Sequence, residues 1–211
     1  MENFVNSLPS KNNIKVTYES YKPVFSEIVT NVENKLRKTL QLSSNPTYKS
    51  RVKSFNSYYR KVLRLKGEEA EKNNFVELTD MMGIRVICAF LEDLSEVEQQ
   101  IKDNFVVKEV EYKGAQQSFR EFGYESVHVL VSIPKDCMPK KCDLPLPETL
   151  VCEIQIRTIL QDAWAEVEHE LIYKSEFTPF DMPLRRKLAS MNASLTLADI
   201  IFQEIRDPCR H

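Results

Sequence analysis

Apolar residues recur every three or four positions across residues 18–41, with polar residues between them. This spacing gathers the apolar side chains into one stripe and predicts an amphipathic helix that ends near the SSNP sequence at 43–46. Ser50 and Ser54 can each cap a second helix, which is predicted to run to about Lys66. Further helices are predicted at residues 75–82, 91–104, 159–173 and 184–206.

The last of these predicted helices, 184–206, also shows helical apolar spacing. Its recurring apolar residues are Leu188, Met191, Leu195, Ala198 and Ile201. An apolar face of this kind covers a sheet or builds an oligomer, and amphipathicity alone does not separate the two.

Four segments rich in β-branched and aromatic residues predict strands at 84–90, 105–112, 127–133 and 150–158. In the last segment, period-two alternation sends Glu153, Gln155 and Arg157 to the face opposite the apolar residues. A polar row on an interior strand faces either solvent or a site. With helices on its flanks, this pattern predicts an α+β fold built on a mixed β-sheet of four to five strands.

The composition shows no global charge bias, with 29 basic and 31 acidic residues. Any phosphate-binding surface must therefore be local. No apolar run approaches the roughly 20 residues that span a bilayer, and the N-terminus lacks the features of a signal peptide. The sequence thus predicts a cytoplasmic protein that makes no use of a membrane.

A basic stretch at 48–66 is the first candidate for chemistry, since it holds seven basic residues and no acid. Lys53, Ser57, Lys61 and Arg64 recur at helical spacing within it. Such a stretch is either a solvated helix face or a surface that binds polyphosphate. Alone, the charge pattern leaves both readings open.

Acidic and aromatic residues supply the other candidates. Asp80 precedes a glycine and a strand, where it either caps a turn or binds a metal ion. Tyr124 follows Gly123 at the start of the third predicted strand and could be a surface aromatic or a stacking platform for a planar ligand. Asp80 and Glu153, a basic helix and an aromatic platform together suit magnesium-assisted phosphoryl chemistry. A nucleotide-handling transferase is therefore plausible from the chemistry alone.

Four motifs occur in one order along the chain: SRVKSFNSYYRK at 50–61, DMMGIRV at 80–86, GYESVH at 123–128 and EIQIRT at 153–158. WAEVEH and YK follow them. This ordered set, over about residues 18–175, resembles the synthetase domain of RelA/SpoT-type alarmone synthetases. The resemblance implies a nucleotidyltransferase-like synthetase fold and a small, synthetase-only member, a class in which homotetramers are known. It predicts a synthetase domain at 1–175 and a helical extension at 176–211 in the same compact unit.

The resemblance also implies an activity. This is the Mg²⁺-dependent transfer of the β,γ-pyrophosphate of ATP to the 3′-hydroxyl of GDP or GTP, which makes (p)ppGpp for the stringent response. Asp80 and Glu153 would be catalytic and would bind the magnesium ion, with Glu153 also drawing the proton from the attacking hydroxyl. The residues that would bind ATP are Arg51, Lys53, Lys61, Arg85 and Arg120, and the first and fourth of these would sandwich the adenine. Those that would bind the acceptor are Tyr124, His128 and Gln155.

The acceptor stays open in this sequence, because Phe122 and Glu125 depart from the family pattern beside Tyr124. The same transfer to adenine nucleotides or to the 3′ end of tRNA, as a toxin, is one alternative. A catalytically silent nucleotide- or RNA-binding regulator is another. Asp80 and Glu153 argue against the silent regulator, since an inert protein needs neither carboxylate.

Overall fold

The structure, a computed structural model, describes residues 11–65, 75–114, 126–174 and 182–207. Within these ranges it contains five α-helices and a five-stranded sheet. The helices are α1 (Lys11–Thr39), α2 (Phe55–Leu65), α3 (Leu91–Asn104), α4 (Ile159–Lys174) and α5 (Met182–Arg206). The strands are β1 (Thr47–Val52), β2 (Met82–Cys88), β3 (Val107–Lys113), β4 (Ser126–Ser132) and β5 (Val151–Thr158).

The sheet is mixed, in the order β1-β2-β5-β4-β3. The central β2 and β5 are parallel, and every other neighbouring pair is antiparallel. The predicted α+β fold with a mixed sheet is confirmed. Strand β1 was not predicted, because it lies at an edge and shows no clear apolar alternation. Backbone pairing with β2 holds this segment as a strand although its side-chain pattern does not indicate one.

One predicted helix, 75–82, is wrong. Residues 75–78 have no regular structure, 79–80 form a turn, and Met82 begins β2. The Tyr58 hydroxyl accepts a hydrogen bond from the Val76 amide at 2.8 Å and donates one to the Val76 carbonyl at 3.0 Å. The bond to the Val76 carbonyl occupies an acceptor that a helix over 75–82 would use.

The start of the second predicted helix is now defined, since Ser50 lies in β1 and Ser54 precedes α2. The Ser54 hydroxyl accepts a hydrogen bond from the Ser57 amide at 3.3 Å, as an N-cap does.

The main core lies between one face of the sheet and helices α1 and α3. The apolar face of β5, with Ile154 and Ile156, is fully buried there. Aromatic rings extend this core toward α2, where the rings of Tyr18 and Tyr58 stack at a centroid distance of 4.3 Å. The predicted stripe of α1 is buried along most of its length. The opposite face of the sheet is therefore left for polar side chains.

Among the described side chains of helix α5, the buried ones are polar: Asn192, Asp199 and Arg206, one at every seventh position. Several apolar side chains of the helix are exposed instead: Met191, Leu197, Ile200, Ile201, Phe202 and Ile205. Of the predicted apolar face, Met191 and Ile201 are exposed, so these two side chains do not cover the sheet.

No helix in the described ranges is both long enough and apolar enough to span a bilayer.

Candidate active site

The polar residues of three central strands lie side by side on the face of the sheet away from α1. Gln155 of β5 is paired with Arg85 of β2 on one side and with His128 of β4 on the other. Glu153 is paired with Gly83, which is paired in turn with Arg51 of β1. Because cross-strand partners are close neighbours on one face, this register brings the predicted β-strand site residues together.

Glu153 is held at both oxygens. His128 Nδ1 lies 2.8 Å from Glu153 Oε1, and Gln155 Nε2 donates to Glu153 Oε2 at 2.7 Å. Burial alone would raise the pKa of Glu153, but the hydrogen bond and charge of His128 and the bond from Gln155 outweigh it, so the pKa is lowered. The carboxylate is thus ionised at neutral pH, as a metal ligand or a proton acceptor requires.

Asp80 forms ion pairs with two lysines of the basic stretch. Lys53 Nζ lies 2.7 Å and Lys61 Nζ lies 3.0 Å from Asp80 Oδ2. Burial favours the protonated form, yet the bonds and charges of the two lysines prevail and lower the pKa of Asp80. Asp80 thus offsets the charges of two lysines in the basic stretch. The clustering of these lysines is therefore not, by itself, evidence that a polyphosphate binds there.

The two carboxylates fit a magnesium ion shared with a substrate. Asp80 lies two residues before β2, whose Gly83 is paired with Glu153. The charge of Asp80 accordingly acts to raise the pKa of Glu153. Asp80 Oδ1 is buried and has no hydrogen-bond partner among the described residues. Magnesium in nucleotide sites takes one or two carboxylates, with phosphate oxygens and water completing its shell. An orphaned carboxylate oxygen beside a second carboxylate supplies that kind of donor set.

A cleft of about 550 Å³ runs along the same face. Its sheet side carries the cationic residues Lys49, Arg51, Arg85 and Arg157, and its other side is formed by Ala165, Glu166, His169 and Glu170 of α4. Burial, and then the charge of Arg85, lower the pKa of Arg157 to about 10. A cleft with a cationic wall of this kind suits a nucleotide with several phosphates.

Two residues near this cleft were missed in the sequence. Lys49 belongs to the unpredicted β1, and Asp162 lies in the first turn of α4. Lys49 Nζ donates to Asp162 Oδ2 at 2.7 Å. The sequence did hold one sign of Asp162. It lies four residues before Glu166 in the helix that follows β5, and this spacing puts both carboxylates on one helix face.

Two predicted site residues lie outside the described residues: Arg120, predicted to bind ATP, and Tyr124, predicted to bind the acceptor. The two departures from the family pattern, Phe122 and Glu125, lie outside them as well. Of the predicted acceptor residues, His128 and Gln155 are described, and both bond to Glu153. His128 Nε2 is buried with no hydrogen-bond partner in the described part of the chain.

Helix α1 reaches the site through Tyr18. The Tyr18 hydroxyl donates to the backbone carbonyl of Lys53 at 2.5 Å, and burial raises the pKa of Tyr18, so the phenol stays protonated. The Lys53 amide donates to the Met81 carbonyl at 2.8 Å, next to Asp80. Lys53 is thereby fixed at its carbonyl, amide and ammonium groups.

We expect Tyr18→Phe to lower the kcat of the pyrophosphate transfer that the resemblance implies about tenfold. Lys53 would lose one of its three anchors, and small displacements at a reacting centre are costly. Tyr21→Phe is the matched control. It removes a hydroxyl of the same helix that donates to the Pro145 carbonyl at 3.0 Å, away from Lys53. Both variants should lose about 1 kcal/mol of stability. Steady-state kinetics with thermal melts would test this, and equal kcat in the two variants would contradict it.

Comparison with known proteins identifies the family of the chain. A family model described as the region found in RelA / SpoT proteins matches residues 50–178. The chain is 35% identical over 126 residues to GTP pyrophosphokinase YwaC of Bacillus subtilis, a match that covers 60% of this chain and 57% of that protein. The chain thus spans little more than half the length of that relative.

Two solved structures share the fold. Small alarmone synthetase 1 of Bacillus subtilis, bound to its product pppGpp, superposes with a TM-score of 0.74 at 22% identity, covering 92% of this chain and 99% of that one. Small alarmone synthetase 2 of the same organism gives a TM-score of 0.70 at 26% identity, covering 90% and 99%. The family model matches more than half of the residues of this chain. The chain therefore belongs to the family of the RelA/SpoT synthetase region.

Proposed function

We propose that the protein transfers the β,γ-pyrophosphate of ATP to the 3′-hydroxyl of GDP or GTP, making (p)ppGpp. The observation that carries the proposal is the Glu153 carboxylate, which is bonded to His128 and to Gln155, a residue that lines the cationic cleft. Asp80, bonded to Lys53 and Lys61, supplies the second carboxylate. The family membership supports the proposal, as do the names of the relatives. The proposed reaction belongs to the cytoplasm, where ATP and guanine nucleotides are available for alarmone synthesis.

In the proposed reaction the acceptor 3′-oxygen attacks the β-phosphorus of ATP. The bond between the α,β-bridging oxygen and that phosphorus breaks, and AMP leaves. Glu153 takes the proton of the hydroxyl, with His128 and Gln155 fixing the orientation of its carboxylate. Lys53 and Lys61 hold donor phosphates and offset their growing charge. A magnesium ion held by Asp80 and Glu153 would supply further charge neutralisation at the phosphates.

Donor and acceptor would lie on opposite sides of Glu153. Arg51 and Arg85 line the cleft on the β1–β2 side and would bind the adenine of ATP. His128 lies on the β4 side, where the acceptor would bind. Arg120 and Tyr124 complete the proposal, as a donor contact and as the platform for the acceptor base.

The test is an acceptor panel with purified protein, Mg²⁺ and labelled ATP. GDP, GTP, ADP and tRNA are compared, and AMP and the pyrophosphorylated product are separated by thin-layer chromatography. AMP formed with GDP or GTP supports the proposal. Product only with ADP or tRNA would move the activity to the toxin class, and no AMP with any acceptor would refute a transferase.

The exposed apolar side chains of α5 support a further part of the proposal, a homo-oligomer of up to four chains. Among them Leu197 is 57% and Ile205 61% exposed, and large apolar side chains clustered on one surface favour association. Light scattering of the purified protein measures this, and a monomer at micromolar concentration would contradict it.

A further inference from the structure

Arg85 is expected to stack on the adenine of ATP, yet it is already bonded to protein acceptors. Its Nη1 donates to Asp162 Oδ1 at 3.3 Å and also contacts Glu166 Oε1. Its Nε donates to Gln155 Oε1 at 3.4 Å. An arginine with this many partners looks unavailable to a ligand.

The geometry of guanidinium resolves the conflict. Its N–H groups donate in the plane of the group, whereas an aromatic base stacks on its flat face. Acceptors at the edge therefore fix the plane of Arg85 and leave the faces of the guanidinium for stacking. The ion pairs and the ligand do not compete for the same part of the side chain.

Asp162 is the centre of this edge network. Oδ1 also accepts from Arg157 Nη1 at 3.4 Å, while Oδ2 accepts from Lys49 Nζ at 2.7 Å. The residue is only 4% exposed and does not line the cleft. Asp162 thus bonds to one cationic residue from each of β1, β2 and β5, all of which line the cleft, while it does not line the cleft itself.

Asp162 is itself fixed by the start of α4. Thr158 caps that helix, with its hydroxyl accepting from the Gln161 amide at 3.0 Å. The same hydroxyl donates to Asp199 Oδ2 of α5 at 2.7 Å. A carboxylate in the first turn of a helix is also favoured by the helix dipole. These contacts give Asp162 the rigidity that a positioning residue needs.

We infer that Asp162 is a positioning residue that presets the plane of Arg85 as a stacking surface for the donor base. The inference rests on the proposed function in one respect, that a purine nucleotide is the donor. Asp162 acts through Arg85 and touches no substrate.

Simple electrostatics and this inference predict opposite effects of Asp162→Asn. Removing a negative charge behind a cationic wall should tighten the binding of any polyphosphate anion. If the plane of Arg85 matters, a nucleotide should bind more weakly, because its base loses a fixed surface. Inorganic tripolyphosphate has no base and should bind as well as before or better.

The experiment measures binding of a non-hydrolysable ATP analogue and of tripolyphosphate by calorimetry. We expect Asp162→Asn to weaken the analogue about tenfold, equivalent to about 1.4 kcal/mol, without weakening tripolyphosphate. Asp136→Asn is the control, an aspartate that also forms an ion pair, with Lys35 Nζ at 2.8 Å, and that does not line the cleft. It should leave both affinities unchanged.

Unchanged or tighter binding of the analogue by a folded Asp162→Asn protein would overturn the inference. If that variant does not fold, Glu166→Gln replaces it, because Glu166 is another edge partner of Arg85 with a side chain 53% exposed. It should weaken the analogue severalfold in the same selective way, and equal affinity would again overturn the inference. Since binding needs no turnover, an analogue that binds while AMP is never formed would refute the proposed function and leave this inference standing.

Discussion

Glu153→Gln is expected to reduce AMP formation by at least about 100-fold, the usual contribution of a general base. The amide is nearly the same size, but it neither accepts a proton at neutral pH nor brings a charge to a metal ion. One of the two oxygens also becomes an NH2 donor, so the side chain no longer accepts at both positions where His128 and Gln155 bond to Glu153. The measurement is AMP release from labelled ATP at saturating acceptor.

Glu33→Gln is the control for this prediction. Glu33 is a carboxylate of α1 whose pKa is also lowered: burial opposes the shift, but hydrogen bonds from Ser50 and Arg37 prevail. It lies in an ion pair with Arg37, on the helix that packs against the other face of the sheet. It should keep full activity. More than a few per cent of activity in a folded Glu153→Gln protein would refute its catalytic role.

Sequence patterns located the site best where a single strand defines it. The alternation of β5 predicted that Glu153, Gln155 and Arg157 share a face, and the structure puts them there with Gln155 only 7% exposed. Period-two alternation is a local property of the chain, so one segment is enough to show it. The polar face of β5 could therefore be predicted without knowing which strands pair with it.

Features that depend on distant partners could not be predicted in this way. Strand β1 exists because β2 pairs with it, and segment 75–78 is held by Tyr58 from α2. Asp162 gains its role only from cations on three different strands. Each of these contacts depends on the tertiary arrangement. The spacing of Asp162 and Glu166 indicates a shared helix face, but not the strand cations that this face meets.

The same limit applies to how α5 docks, since apolar spacing did not indicate its buried polar contacts. Arg206 is 9% and Asp93 0% exposed. Arg206 Nη1 donates to Asp93 Oδ1 at 2.7 Å, and its Nη2 donates to Ser43. Its guanidinium also lies over the Phe90 ring, 4.3 Å from the centroid. The end of α5 is thus locked to the start of α3 by a buried charge pair.

Arg206→Met is expected to lower the free energy of unfolding by about 3–5 kcal/mol, because it leaves the buried Asp93 charge without its partner. The remaining Ser44 hydroxyl, 2.6 Å from Asp93 Oδ2, cannot balance a charge. Arg37→Met is the matched control. Arg37 also pairs with a carboxylate and lies over a ring, 4.2 Å from the centroid of Tyr48, but its side chain is 47% exposed.

The control should lose at most about 1 kcal/mol, as exposed ion pairs do. Urea unfolding followed by far-UV circular dichroism and by Trp164 fluorescence would measure both variants. Residues 176–211 are proposed to form one compact unit with the synthetase domain, so wild-type transitions by the two probes should coincide. If Arg206→Met costs no more than Arg37→Met, or if the wild-type signals separate, α5 is an independent appendage. The route from Asp199 through Thr158 to Asp162 would then have no rigid anchor.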